Sequence, residues 1–197
     1  MARSASEALG AGGALLLLLA AATGSPQDAY PADITPPPGT RYPCALTALP
    51  KGLPGVPEAD RAYINRTYAR ILRATQVKLV LLKALEESRD IGPALGRYRD
   101  ATGALAVRQS GERPPGGLEP FQDDVLGALA LQQAFFSRAA ALRQGGHGMD
   151  EVYAVAEGRQ ASARLIGAWS RMQARYPGWP PQTRDSIFHH LCALDLF

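Results

Sequence analysis

Asp185, His189 and Cys192 stand at i, i+4 and i+7 of one C-terminal segment, a spacing that puts all three on one side of a helix. A carboxylate, an imidazole and a thiolate arranged in this way are the raw material of a metal site, and they make a metal-binding bundle one reading of the chain. The same Cys192 has a competing use. The chain holds two cysteines, Cys44 and Cys192, and in an exported protein an even pair reads as a disulfide. Such a bridge would close the loop from 44 to 192, worth up to about 5 kcal/mol in the chain-entropy account. An oxidised sulfur is not a thiolate ligand, so the disulfide is the expected state and no metal site is assigned. His147 lies in Gly145-Gly146-His147-Gly148, and His190 flanks an apolar stripe. Cys-x-x-Cys-His, Gly-x-Ser-x-Gly and phosphate-loop glycine spacings are absent from the sequence, and no cofactor is expected.

A second set of candidates consists of polar residues that interrupt apolar stripes. Lys78 falls among Ile71, Thr75, Leu79 and Leu82, Gln132 between Leu129 and Phe136, and Arg159 between Val155 and Ile166. A buried charge is costly unless paired. If the three converge, two cations and an amide would suit a small anionic ligand. The plainer alternative is that Lys78 and Arg159 carry their heads to the rim or pair with Glu86, Glu87 or Glu157. Apolar residues outside the stripes mark a partner surface: Val77, Val80 and Leu81 on the first helix, with Tyr176 and Trp179 in a proline-rich turn.

The elements that must position these residues are helices. From Glu58 to about Arg89 there is no Gly or Pro, and apolar residues recur at three and four. Asp60 suits the first turn, where the helix dipole favours an acid, and Arg66, Arg70 and Arg73 are expected on the wet face. A second helix opens at Gly92-Pro93. A third opens near Pro120 and carries Phe121, Val125, Leu129 and Phe136. A fourth is expected from a cap at Asp150 to about Tyr176, and a last one from a cap at Thr183. No segment alternates as a half-buried strand does. The expectation is an all-α, antiparallel bundle of four to five helices over residues 58–197.

Gly117-Leu118-Glu119-Pro120 followed by Gln132 is similar to a short stretch of the secreted, all-helical chorismate mutases. That family's Arg-to-Lys interval on the first helix is not reproduced from Arg73 to Lys83, and its Asp-x-x-Arg is missing. The similarity carries no assignment of fold, activity or site residues.

Ahead of the bundle lie two segments of different character. Residues 1–24 read as a signal peptide: Arg3, an apolar run from Ala14 to Ala22, then Ala22-Thr23-Gly24 before Ser25. The run is shorter than the roughly 20 residues a bilayer span needs, and no second stretch of spanning length is evident. Residues 25–57 carry nine prolines and read as an extended arm tied back by Cys44. The net charge is +3, with arginines spread among acids over every helix, so nucleic acid is not implied. Asn65-Arg66-Thr67 is a glycosylation pattern inside the first helix. The functional expectation is an exported (periplasmic or extracellular) soluble module, more a binder than an enzyme, taking a protein partner or a small ligand. Alternatives are an enzyme or carrier with a basic pocket for a small anion, and the metal-binding bundle.

Overall fold

The computed structural model describes residue 46 and residues 48–195, and folds them into six packed helices with no strand among the described residues. These are α1 (Glu58–Glu86), α2 (Ile91–Gly111), α3 (Glu119–Gln144), α4 (Met149–Tyr153), α5 (Ala156–Arg175) and α6 (Pro181–Leu194). Pro120 and Pro181 each sit in the first turn, where the missing N–H costs nothing. The fourth segment was expected to be continuous. Instead α4 ends after little more than a turn, Val155 is extended, and α5 starts afresh at Ala156. Val152 and Val155, on either side of the break, are both anchored in the core. The expected caps are not used either: the N-cap residues are Gly148 for α4 and Pro180 for α6, and neither makes a side-chain cap bond.

Hydrogen bonds between helices fix their directions. Gln109, late in α2, donates to the Tyr63 hydroxyl (2.7 Å) and to Thr67 Oγ1 (3.1 Å), early in α1, so the two run antiparallel. Gln133 Nε2 donates to Thr102 Oγ1 (2.8 Å), and Gln122 Nε2 to the Glu112 carbonyl (3.0 Å), which sets α3 against α2. Arg171–Asp124 (2.8 Å) and Arg138–Glu157 (2.9 Å) do the same for α5 against α3. The last helix returns beside the first and runs parallel to it. The His190 ring stacks on Tyr68 at 3.8 Å, and Thr75 Oγ1 reaches the Ala193 carbonyl at 3.2 Å.

The core is in two parts. One cluster gathers Ile64, Tyr68, Phe121, Leu165, Met172, Ile187 and Leu191, and the other Leu81, Leu85, Tyr98, Phe135, Phe136 and Val152. On α1 the clusters meet between Ala74 and Leu81, and on α3 between Leu129 and Phe135. Lys78 and Gln132 fall in those gaps. They form a polar layer that crosses the bundle.

Two α1 expectations are corrected. Arg70 is not on a wet face: it is buried, bonded to Gln109 Oε1 (2.8 Å) and paired with Glu112 (2.6 Å) across the α1–α2 seam, where Arg66 also meets Glu112. Asp60 does more than face a dipole. It is buried and accepts hydrogen bonds from the Tyr176 hydroxyl (2.5 Å) and Arg175 Nη2 (3.0 Å). Arg175 also donates to the Gly116 carbonyl (2.8 Å), and Gly117 beside it has a left-handed φ of +85°. A Cβ there would lie 2.3 Å from Arg175 Nη1. Gly117→Ala is therefore expected to lower stability by about 1–2 kcal/mol from backbone conformation alone, with a further loss if Arg175 leaves Asp60. Urea denaturation at neutral pH measures it.

Among the described residues α3 is long and apolar enough to cross a membrane, by length and composition alone, so a second apolar stretch of spanning length does exist. Its buried residues, Phe121, Val125, Leu129, Phe135 and Phe136 among them, belong to the two core clusters. The end of the arm is packed too. Leu49 and Leu53 are buried, and Leu49 exchanges backbone hydrogen bonds with the Asn65 amide (2.8 and 3.0 Å). The amide of the glycosylation pattern thus secures the chain's entry into α1. Residues 1–24, most of the arm and Cys44 lie outside the described residues.

Candidate functional site

Lys78 and Gln132 do come together, but on the protein's own backbone. Lys78 Nζ, buried to 3 % exposure, donates to the carbonyls of Ala193 (2.7 Å), Leu194 (3.0 Å) and Asp195. Gln132 Nε2 donates to the Leu194 carbonyl (2.6 Å), while its Oε1 accepts from the Tyr98 hydroxyl at 3.4 Å. These carbonyls are the ones that the end of α6 leaves without helical partners, and they carry the partial negative charge of the helix terminus. A cation is the matching group. Burial pushes the Lys78 ammonium down to about 8, opposed by the Asp195 carboxylate. Ser162 on α5 donates in turn to Asp195, so four helices meet at the α6 terminus.

Arg159 is elsewhere. It is exposed, with its guanidinium 3.4 Å from the carbonyl of Ala154, which caps the end of α4 in the break before α5. The break before α5 changes the helical register that had placed it in line with Val155. The three-residue pocket is therefore corrected to a two-residue C-terminal clamp, and an anion there would have to displace the carbonyls of 193–195.

The expected partner surface also separates. Leu81 is fully buried, Tyr176 and Trp179 are 5 % and 3 % exposed, Val77 is half-buried, and Val80 alone stands out at 45 %. Tyr176 is drawn inward because its hydroxyl has Asp60 as an acceptor, and Trp179 stacks on it at 4.4 Å. Of the candidate metal ligands, Asp185 and Cys192 are exposed and His189 is half-buried, with no cluster of three ligand-type side chains among the described residues. His190 is fully buried, and Nδ1 lies 2.6 Å from the Ser186 carbonyl, which assigns the proton to that nitrogen. Burial holds its pKa down to about 4, opposed by that carbonyl and assisted by His189, so the ring is neutral at pH 7.

Comparisons with protein families, with curated proteins and with solved structures found no match. The surface itself offers the remaining candidate. Leu165, Ile166 and Trp169 of α5 and Phe188, Leu191 and Cys192 of α6 line an apolar groove of about 390 Å³ that ends at Asp195. Ile166 is 60 % exposed and Phe188 46 %. Trp169 packs edge-to-face on Phe188 at 5.5 Å, and its buried indole N–H has no acceptor among the described residues. Periodicity alone placed Ile166 in the apolar stripe of the fourth helix and did not single out Phe188. The missed signal is adjacency: in Leu165-Ile166 and Ile187-Phe188, two neighbouring apolar residues point about 100° apart on a helix. When one is buried, the other is left on the flank.

Proposed function

We propose that the protein is an exported, non-catalytic binding module whose α5–α6 groove takes an extended, proline-rich segment of polypeptide. The observation that carries this reading is the groove itself: Trp169 and Phe188 set edge-to-face, flanked by the exposed Ile166. Shallow aromatic-lined grooves suit a polyproline helix, which is already extended and loses little entropy on docking. Export is supported by the apolar run from Ala14 to Ala22 and the small residues before Ser25.

Trp169 provides the readout, because Trp179 is nearly inaccessible. A short synthetic proline-rich peptide, free of charge and cysteine, is expected to blue-shift the emission in a saturable manner. Ile166→Asp or Phe188→Asp, each placed at an exposed position that leaves the core intact, is expected to weaken binding at least about tenfold, the equivalent of 1.4 kcal/mol. Absence of saturable binding, or equal binding by both variants, would remove the groove as a docking surface.

A further inference from the structure

We infer that Arg164 and Arg171 of α5, held by the buried Asp124 of α3, form a binding site for a small phosphate monoester in the cleft between those two helices. The site goes beyond the docking groove and does not depend on it. The groove lies on the α6 side of α5, and the arginine pair on its α3 side.

Gln160, Arg164 and Arg171 recur at four and seven along α5, which puts them on one face of the helix. With Asp124, Leu131 and Gly167 they line an open cleft of about 530 Å³, a volume in the range of small-molecule sites. Asp124 is 4 % exposed, and each of its carboxylate oxygens takes one guanidinium. Oδ1 accepts from Arg164 Nη1 (3.3 Å) and Oδ2 from Arg171 Nε (2.8 Å). Two glycines make room for this arrangement. A Cβ at Gly127 would stand 3.4 Å from Arg164 Nε, and one at Gly167 would stand 3.4 Å from Asp124 Oδ2.

One carboxylate does not exhaust two guanidiniums. Each guanidinium has five N–H donors and spends one of them on Asp124. Both terminal amino groups of Arg171, and Nε and Nη2 of Arg164, have no acceptor among the described residues. Arg175, the next arginine along this face, is committed elsewhere, to Asp60 and the Gly116 carbonyl. The charged residues lining the cleft are Asp124, Arg164 and Arg171, so one positive charge is in excess. A phosphate monoester brings nearly two negative charges at neutral pH and three acceptor oxygens. That is enough for both guanidiniums, whereas a single carboxylate engages one fork. Because Asp124 orients the two heads before a ligand arrives, less side-chain freedom is lost on binding. Leu131 gives apolar cover to the organic group, and the Gln160 amide flanks it.

The probe is phenyl phosphate, titrated into the full chain at pH 7.5 and constant ionic strength and followed by its phosphorus-31 resonance. Saturable binding is expected, weakened at least about tenfold by Arg164→Gln and by Arg171→Gln. Half-exposed ion pairs contribute little to stability, so both variants should fold, which thermal unfolding checks. Arg171→Lys keeps the charge without the fork and should bind severalfold more weakly than wild type. Arg184→Gln, at an exposed arginine of α6 outside the cleft, should bind as wild type, and so should Phe188→Asp in the groove. Benzoate should bind at least about tenfold more weakly than phenyl phosphate. No saturable shift with the wild type, wild-type affinity in both glutamine variants, or an equal loss in Arg184→Gln would overturn the site. Loss of binding in Phe188→Asp would place the phenyl ring in the groove and overturn it as well. Equal affinity for benzoate would overturn the phosphate assignment. If a glutamine variant fails to fold, Arg171→Lys decides, and wild-type affinity there would overturn the site.

Discussion

Lys78→Met is expected to lower stability by about 2–4 kcal/mol. Methionine keeps the volume of the stem, and replacing a buried charge by an apolar group is often neutral or stabilising. The geometry decides against that outcome here. The ammonium donates to three carbonyls at the end of α6, and hydrogen bonds from a charged group contribute about 1.5–3 kcal/mol each. Opposing them is the burial that pushes the pKa from 10.5 to about 8, a burden of about 3 kcal/mol at 1.36 kcal/mol per unit. The loss is moderated because Ala193 keeps Thr75 as a donor and Leu194 keeps Gln132. The Asp195 carbonyl loses its bond from Lys78. Urea midpoints with an unchanged m-value would measure the effect, and the exposed Arg159→Met should stay within about 0.5 kcal/mol of wild type. A Lys78→Met midpoint equal to or above wild type would mean that desolvation outweighs the clamp.

Acid should destabilise the protein through His190, by about 3 kcal/mol between pH 6.5 and pH 4. In the folded state burial holds the ring near pKa 4, whereas an unfolded histidine titrates near 6.5. The unfolded chain therefore binds more protons within this window, and stability falls as the pH falls. The contribution is complete above about 6.5 and lost once the folded ring itself protonates, near 4. The neutral ring is set by its surroundings: Tyr68 stacked on one face, the Ser186 carbonyl on Nδ1, and His189 as the adjacent titratable group. His190→Phe retains the aromatic stack and cannot titrate. Its unfolding free energy, followed from pH 7 to pH 4, should lose about 3 kcal/mol less than wild type over the same interval. Parallel curves for the two proteins would show that His190 is not the source of the acid sensitivity.

The sequence by itself determined that the described chain is helical, and nearly where the helices lie, because three-and-four periodicity and the Gly and Pro breaks are local signals. It also picked out Lys78 and Gln132 as polar residues in apolar stripes, for the sound reason that such residues must find partners. Which partners they find is not a local property. Carbonyls at a helix end carry no label in the sequence, and only the parallel return of α6 beside α1 brings 193–195 over Lys78. The same holds for Arg70, whose place opposite Gln109 and Glu112 depends on how α2 folds back. Tyr176 and Trp179 had the composition of an exposed turn, yet Asp60, more than a hundred residues away, supplies the acceptor that turns Tyr176 inward. Arg159 lost its place to a helix break that no Gly or Pro marks. In each case periodicity identified the face of a helix, while tertiary packing chose what lies opposite it, and that choice separates a clamp from a binding pocket.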